Sequence, residues 1–390
     1  MENKTVHKKE PFMRIVSNPN HSAARAWIIR GVALVIALLA CGLFVNITAG
    51  VSLKDTFISM WNGTFGRFGN ATSMRIKCWD SAVYAAKLLC IAVALAPAFK
   101  MRFWNIGAEG QVIMGGLVTA IVMREAAGTL SGFPLYACMI LACIVFGAVW
   151  GVIPAIFRAK FGTNETLFTL MMNYVAMKIM DYFYNTWKGR ASALEQINTK
   201  TQIGWLPDIF GHGYTINIIV FLLLAVFIYF YLGKTKHGYE ISVVGESTKT
   251  AQYAGINVSR VIIRTMAISG AICGLCGGLT VAGQTHSIAT SADPINSITS
   301  GYGFTAIIVA WLAKFNTIGM IGISVLIIFL EKGTGALANN YPAFATGAGN
   351  VLIGLVLFFI IGSEFFIRYR IVFAGMSRRK KAAKEASAHE

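Results

Sequence analysis

Long apolar stretches alternate with short polar segments along most of the chain. A membrane-crossing helix needs about 20 mostly apolar residues to span roughly 30 Å of hydrocarbon. Seven stretches meet this requirement clearly, and three are short or interrupted by polar residues. The predicted crossings are residues 31–48, 81–98, 103–123, 135–157, 167–183, 216–232, 261–282, 302–313, 318–330 and 351–367. The pattern predicts an all-α polytopic membrane protein of about ten transmembrane helices. For the short segments 302–313 and 318–330, the alternative is a re-entrant arrangement that does not cross the membrane.

The charged residues fit this count. The 390 residues are 56% apolar and 13% charged, which is far less charge than a soluble domain carries. Of the 34 Lys and Arg residues, 23 fall in the two tails and the alternate connections. The opposite connections hold 9. Because basic residues concentrate on the cytoplasmic side, both termini are predicted to be cytoplasmic in a multi-pass bacterial cell-membrane protein. The excess charge of +17 therefore indicates orientation rather than nucleic-acid binding.

Three regions follow from this topology. Residues 1–30 form a cytoplasmic basic tail, residues 31–367 a transmembrane domain, and residues 368–390 a second basic tail in which Arg378–Lys381 suits anionic lipid. The third and eighth crossings open with similar glycine-rich, aromatic segments and run in opposite directions. Crossings two to five and seven to ten therefore form a predicted inverted repeat, an arrangement that transporters use to hold solute at the repeat interface.

A cluster of polar and aromatic side chains interrupts the third crossing. Glycines loosen the helix there, and a discontinuous helix lined by amides and a carboxylate is typical of transporter solute sites. The predicted solute-binding residues are Phe103, Trp104, Asn105, Glu109, Gln111, Asn173, Tyr302 and Phe304. Two of them have equally supported alternatives. Glu109 either faces solute or caps a half-helix, and Asn173 either reaches solute or locks two helices together.

A long polar loop, residues 233–260, joins the sixth and seventh crossings on the cytoplasmic side. Ser247 to Tyr253 predicts a short polar helix that begins at a Ser or Thr cap and ends at Gly255. The helix is too polar to cross the membrane, so we interpret it as a docking surface for a cytoplasmic partner.

These segments together resemble the permeases of ABC importers for ribose, branched-chain amino acids and nucleosides. The loop is similar to their coupling segment, at Gly245, Glu246, Ala251, Tyr253, Ala254 and Gly255. Residues 103–111 resemble the family's Asn-Ile-Gly-x-Glu-Gly-Gln signature, with Trp104 as a departure. Residues 163–176 look like the nucleoside-type subgroup, and residues 301–310 also fit.

The resemblance implies a type II-like permease subunit that imports a nucleoside, or a ribose-like sugar, by alternating access. It implies two ABC ATP-binding subunits, an extracytoplasmic solute-binding lipoprotein, and a homo- or heterodimer with a sister permease. The chain has no Gly-x-x-x-x-Gly-Lys-Ser/Thr loop for nucleotide phosphates. We therefore expect no enzymatic activity and no cofactor here, with ATP and Mg²⁺ on the partner ATPase.

Two other classes are alternatives. An ion-coupled secondary transporter would use Glu109 and Asp181 as ion-binding groups and would work without an ATPase. An intramembrane enzyme would need a catalytic motif, and neither His-Glu-x-x-His nor Gly-x-Ser-x-Gly occurs. The Cys273-x-x-Cys276 pair looks like a redox motif, but its apolar, glycine-rich helix favours close packing.

Overall fold

The structure is a computed structural model that describes residues 13–17, 22–290, 298–344 and 348–373. Helices dominate these ranges, as the sequence predicts. The rest of both predicted tails, including Arg378–Lys381, lies outside the described residues. The chain divides into two compact units, one comprising Met1–Gly63 and Gly333–Glu390 and the other Thr64–Lys332. Every predicted site residue lies in the second unit.

The first unit is built around two long apolar helices, α1 (Ala23–Ala49) and α13 (Ala348–Arg368). Arg30 pairs with Glu364 at 3.4 Å, and the Cys41 thiol donates to the Leu352 carbonyl at 3.7 Å. The helix α1 begins inside the predicted basic tail because the Ser22 side chain accepts the Arg25 N–H and caps it. A further helix, α2 (Leu53–Phe65), follows α1 in a segment predicted as a loop.

Two short strands depart from the all-α prediction. Strand β1 (Met13–Ser17) pairs antiparallel with β2 (Tyr369–Phe373), so that Met13 lies opposite Phe373. Both strands contain an Ile-Val pair, and β-branched residues favour extended backbone. Periodicity over five residues is too short a signal to predict such a ribbon, and its two halves come from opposite ends of the chain.

The second unit contains the helices that form the site. In chain order these are α3 (Ala71–Lys100), α4 (Ala108–Glu125), α5 (Phe133–Phe161), α6 (Glu165–Lys188), α7 (Thr215–Lys234), α8 (Lys236–Glu246), α9 (Thr248–Tyr253), α10 (Val258–Thr280), α11 (Tyr302–Leu312) and the larger part of α12 (Thr317–Asn340). A short 3-10 helix (Ala126–Gly128) follows α4, and a π-helical turn (Val281–Thr285) extends α10.

The core of this unit is formed by α3 and α10. Their apolar windows are 83% and 78% buried, whereas those of α5 and α7 are 28% and 33% buried. A helix that is apolar on every side is expected at such a central position. The outer helices expose their apolar side chains, as helices facing lipid do.

Glycines bring α5 and α10 into very close contact. A Cβ atom on Gly147 would lie 2.6 Å from the Cα of Gly274, and one on Gly274 would lie 2.8 Å from the Cα of Gly147. Small residues allow this approach, which favours association of helices in a membrane. The predicted packing role of the α10 small-residue face is thereby confirmed, and Cys273 and Cys276 are buried free thiols.

Each of the ten predicted crossings contains a helix, although residues 103–107 of the third are not helical. Among the described residues, seven helices are long and apolar enough to cross a membrane: α1, α3, α5, α7, α10 with its π-helical turn, α12 and α13. The other three predicted crossings are α4, α6 and α11. With 11 residues, α11 extends only about 16 Å and is too short to cross alone. In contrast, α12 has 24 residues and continues ten residues beyond its predicted end at residue 330.

We expect Gly147→Leu to weaken the contact of α5 with α10. Four added carbon atoms would meet the backbone of α10, and overpacking of this kind costs about 1–3 kcal/mol or more. The purified variant should unfold several degrees below the wild type in a detergent thermal-stability assay. Gly322→Leu is the matched control, since nothing lies within 4 Å of a Cβ at that helical position. Equal stability of both variants would contradict the close approach.

Candidate functional site

The backbone between α3 and α4 is not helical. The helix α3 ends at Lys100, and α4 begins at Ala108 after a turn in which Arg102 has a φ of +61°. Asn105 holds this turn through its side-chain oxygen, which accepts the Gly107 N–H at 2.9 Å. Residues 101–107, called the break below, connect α3 to α4. The prediction of a discontinuous third crossing is wrong, because Asn105 and Gly107 lie before the helix and α4 is unbroken from Ala108 to Glu125.

The helix α6 supports the break from one side. Asn173 accepts the Gly110 N–H at 2.8 Å through Oδ1 and donates to the Ile106 carbonyl at 2.9 Å through Nδ2. Thr169, one helical turn earlier, accepts the Ile106 N–H at 3.2 Å. Of the two roles predicted for Asn173, this geometry favours locking two helices together.

A buried cluster of amides and hydroxyls lies on the other side of the break. Gln111 donates to Asn105 Oδ1 at 3.4 Å, and Asn105 donates to the Ser269 hydroxyl at 3.4 Å. Asn105, Gln111 and Ser269 are each at most 1% exposed. These long hydrogen bonds join α4, the break and α10 through neutral polar groups.

Several polar atoms around this cluster have no hydrogen-bond partner among the described residues. They are Oε1 of Gln111, Nε1 of Trp150 and Oγ1 of Thr265. Thr265 lies one helical turn before Ser269, on the same face of α10. Trp150 is close to the start of α4, since a Cβ on Gly110 would lie 3.0 Å from its Nε1. Buried polar groups are nearly always hydrogen-bonded, so such a group of unpartnered atoms is unusual.

Glu109, the second residue of α4, connects the starts of two helices. Its carboxylate accepts the Thr299 hydroxyl and, through the other oxygen, the Gly303 N–H at 2.8 Å. Gly303 is the second residue of α11, where backbone N–H groups point outwards without helical partners. A carboxylate at this end is stabilised by the helix dipole. The geometry thus favours the capping role of Glu109, which is only 3% exposed.

The predicted aromatic residues do not form one group. Phe103 and Tyr302 are buried, and the Tyr302 hydroxyl donates to the Glu331 carboxylate at 3.0 Å. Trp104 and Phe304 are 41% and 38% exposed. Trp104 stacks on Trp311 at 4.8 Å, close in sequence to the basic residues 100, 102 and 314. Tryptophans beside basic residues are typical of a membrane–water interface.

The structure thus brings Asn105, Glu109, Gln111 and Asn173 together at the break, whereas the side chains of Trp104, within the break, and Phe304 are partly exposed. Sequence reasoning did not find the side chains that complete this region: Trp150, Thr169, Thr265, Ser269 and Thr299. Hydroxyl residues within apolar helices were the available signal. They are common packing residues in membrane helices, so the signal alone does not single them out.

The cytoplasmic loop contains the predicted short helix. Ser247 caps α9 by accepting the Thr250 N–H at 3.2 Å, and Gly255 follows it with a φ of +76°, which glycine adopts without strain. Ala251 is fully buried, whereas Tyr253 is 93% exposed. The helix is confirmed. The preceding helix α8 was missed.

The end of α8 contacts the start of the break. A Cβ on Gly245 would lie 3.3 Å from the Cα of Met101, and the carbonyl of Lys100 is closer still. Only glycine allows this approach. The loop that carries α9 is therefore packed directly against the segment that leads to Asn105 and Gln111.

An ion pair fixes the loop to α10. Arg264 lies 2.7 Å from the Glu240 carboxylate. The hydrogen bond and charge of Arg264 hold the pKa of Glu240 below its usual range. Both side chains are largely shielded from solvent, so the pair is better placed to contribute to stability than a surface pair.

Comparison with known proteins identifies the family. Residues 79–361 match the family described as "Branched-chain amino acid transport system / permease component". The chain belongs to this family. The match covers the break, the cluster and the cytoplasmic loop, so these features are part of a transport permease and not of an enzyme. Permeases of this kind work with an ATP-binding subunit and a solute-binding protein. Membership of this family excludes the alternative of an ion-coupled secondary transporter.

Three relatives show the range of the family. The guanosine ABC transporter permease NupP of Bacillus subtilis is 29% identical, over 86% of this chain and 93% of its own length. The glucose ABC transporter permease TsgB13 of Haloferax volcanii is 28% identical, over 93% of this chain and 95% of its own. The nucleoside ABC transporter permease NupB of Lactococcus lactis is 25% identical, over 77% and 81%.

We expect Asn173→Ala to destabilise the break. The substitution leaves the buried Gly110 N–H and Ile106 carbonyl without their partner, which costs about 1–3 kcal/mol for each buried group left unpaired. The purified variant should lose thermal stability in detergent. Asn185→Ala, an exposed position near the end of the same helix, is the control and should behave like the wild type. A wild-type melting curve for Asn173→Ala would exclude the locking role.

Glu240→Gln should remove a pH-dependent part of the stability. Because the pKa of Glu240 is lowered in the folded protein, the ion pair contributes fully above the ordinary Glu value of about 4.3. That contribution disappears as the pH falls through the lowered pKa. Thermal melts from pH 7 to acid should show a gap between wild type and variant that closes at low pH. Glu246→Gln, at an exposed position on the same helix, should show no such convergence.

Proposed function

We propose that the chain is the membrane-spanning subunit of an ATP-driven importer for nucleosides, with a related sugar as the alternative solute. The observation that carries this proposal is the buried amide and hydroxyl cluster at the break. It offers donors and acceptors without a net charge, which suits a polar, neutral solute. Nucleosides and sugars are both of this kind.

The unpartnered atoms support solute recognition at this cluster. Gln111 Oε1 accepts hydrogen bonds, Trp150 Nε1 donates them, and the Thr265 hydroxyl does both. Sugar hydroxyls and base edges need this mixture of groups. Phe103, Trp104, Tyr302 and Phe304 stay predictions as stacking surfaces, as do Asn105, Glu109 and Asn173 as direct solute contacts.

The choice of nucleoside rests on chemistry and on the relatives. A guanosine and a nucleoside permease are both similar to this chain, as is a glucose permease with greater coverage. The segment from Asn164 to Tyr174 resembles the nucleoside-type subgroup. It forms the part of α6 that holds the break, so the likeness falls on residues that shape the cluster.

Energy coupling would pass through the cytoplasmic loop. We propose that an ATP-binding subunit contacts the cytoplasmic loop at Glu246, the last residue of α8, at Tyr253 of α9, and at Ala254 and Gly255 directly after it. ATP and Mg²⁺ would bind to that subunit and not to this chain. Movement of α9 would be carried by α8 to Lys100 and Met101, which Gly245 contacts. The break and the cluster follow directly in the chain, so a displacement of a few ångströms would reach the solute site.

The remaining assignments concern the assembly. We propose a permease dimer, formed with a second copy or with a sister permease, in a bacterial cell membrane with both termini cytoplasmic. The distribution of basic residues supports this orientation. A solute-binding lipoprotein would deliver solute from the outer side. The predicted inverted repeat is supported by the meeting of the α4 and α11 starts at Glu109.

The solute is identified by uptake. Cells without their own nucleoside uptake would express the permease with its ATP-binding and solute-binding partners and receive labelled guanosine, adenosine, uridine, ribose or glucose. We expect ATP-dependent, saturable nucleoside uptake that unlabelled nucleosides inhibit and glucose does not. Uptake of glucose or ribose alone would replace the nucleoside by a sugar. Uptake that continues without the ATP-binding subunit would contradict the importer.

Gln111→Leu tests the cluster. The substitution keeps the approximate size of the side chain and removes its amide, so the uptake rate should fall roughly tenfold or more, as expected for a lost interaction of about 1.4 kcal/mol. Gln196→Leu, in an exposed segment, is the control. Membrane abundance and assembly with the ATP-binding subunit should match the wild type. Normal uptake by Gln111→Leu would remove Gln111 from the solute site.

A further inference from the structure

The segment that leads into α11 is held by three charged side chains, of which two are buried and one is partly buried. Residues 298–303, called the entry segment below, precede and open this 11-residue helix. Glu109 of α4 binds the segment at Thr299 and Gly303, as described above. The other two charged side chains are Lys87 of α3 and Glu331 of α12, which the permease signatures do not include.

Lys87 lies at the centre of this arrangement. Its side chain is 1% exposed, and its ammonium group donates to the Ile298 carbonyl and the Ser300 hydroxyl, both at 3.4 Å. The same nitrogen lies 5.1 Å from the ring centres of both Tyr84 and Tyr302. Two aromatic faces at this distance stabilise a cation, and more strongly where water is excluded.

Glu331 completes the network through Tyr302. Both of its oxygens accept from the Tyr302 hydroxyl, at 3.0 and 3.1 Å. The ammonium of Lys87 interacts electrostatically with the carboxylates of Glu331 and Glu109. The ammonium and the two carboxylates come from three different helices, and all three contact the entry segment.

Further charges extend the network towards the N-terminal half of α3. Lys332 pairs with Asp80 at 2.9 Å and lies 3.8 Å from the ring centre of Tyr84. The ring of Tyr84 therefore lies close to two lysines, Lys87 and Lys332. Charged or aromatic contacts therefore connect α3 to the entry segment and the entry segment to α12.

We propose that Lys87 is a positioning residue for transport, which ties the entry segment to α3, α4 and α12 so that α11 moves with them during each cycle. This proposal rests on the importer function described above. The carboxylate of Glu109 contacts the entry segment. Glu109 is also the second residue of α4, which follows directly after the break. Lys87 therefore controls how a movement of the break is passed to α11.

Burial of Lys87 is not explained by packing alone. Removing an ammonium from water is costly, and an apolar side chain of similar volume is often as stable or more stable in such a place. The hydrogen bonds of Lys87 are also long. A methionine would fill the space without the desolvation cost, but it would leave the entry segment without its link to α3.

The test uses the complete complex with its ATP-binding and solute-binding partners, reconstituted in proteoliposomes. We expect Lys87→Met to assemble and to melt within a few degrees of the wild type, while the maximal uptake rate falls tenfold or more. ATP hydrolysis stimulated by the loaded solute-binding protein should persist, so that more ATP is consumed for each solute imported. Lys87→Arg, which keeps the charge, should restore at least half of the uptake.

Lys178→Met makes the same chemical change on an exposed lysine of α6 and should keep wild-type uptake. If Lys87→Met imported as much solute for each ATP hydrolysed as the wild type, the proposal would be overturned. It would also be overturned if uptake and thermal stability fell together and Lys87→Arg rescued neither. If Lys87→Met does not assemble, the double variant Lys87→Met/Glu331→Gln removes one charge of each sign. Its recovery of assembly with impaired coupling supports the proposal, and failure to assemble contradicts it.

This design separates the proposal from the solute assignment. The ratio of ATP hydrolysed to solute imported is compared between variant and wild type for whichever solute the wild type imports. A wild type that imports sugar would correct the proposed solute and leave the test of Lys87 intact. A wild type with no ATP-driven uptake of any solute would contradict the importer function itself.

Discussion

The constraint on which the rest of this structure depends is the absence of water inside the hydrocarbon layer. Every backbone N–H and carbonyl there must find a partner within the protein. The break separates α3 from α4 and leaves the first N–H groups of α4 without helical partners, and α11 begins in the same way. Asn105, Thr169, Asn173 and Glu109 replace the missing hydrogen bonds. A polar site can exist at this depth because these side chains satisfy the backbone that surrounds it.

Much of the fold could be predicted from the sequence, because a helix that crosses the membrane requires a long apolar segment. Each of the ten apolar segments contains a helix. The caps of α6 and α9 follow from Asn164 and Ser247, whose side chains accept the expected backbone N–H groups. The lengths and boundaries of the helices were harder to predict from the sequence. Helices α2 and α8 are amphipathic or polar, and α3 begins ten residues before its predicted start, so an apolar window does not detect these turns. The β1–β2 ribbon depends on pairing between distant ends.

The site was predictable in its residue types and not in its contacts. Amides, a carboxylate and glycines at residues 105–111 predicted a broken helix, whereas the structure has a connection that ends at Gly107 and an unbroken helix after it. Two roles remained open for both Glu109 and Asn173. Their partners lie 190 and 63 residues away in the chain. Periodicity describes one helix at a time and contains no information on which helix faces which. The contacts of α4 with α6, α10 and α11 therefore had to come from the structure.

The hydrogen-bond inventory separates two kinds of polar residue at the break. Asn173 uses both ends of its amide for backbone groups, and both oxygens of Glu109 have partners in the entry segment. Solute could recruit these atoms only by releasing the backbone that they hold. Gln111, Trp150 and Thr265 each retain an atom with no partner among the described residues. In the proposed function, solute recognition is therefore assigned to this second group, and the passage of movement between helices to the first group together with Lys87.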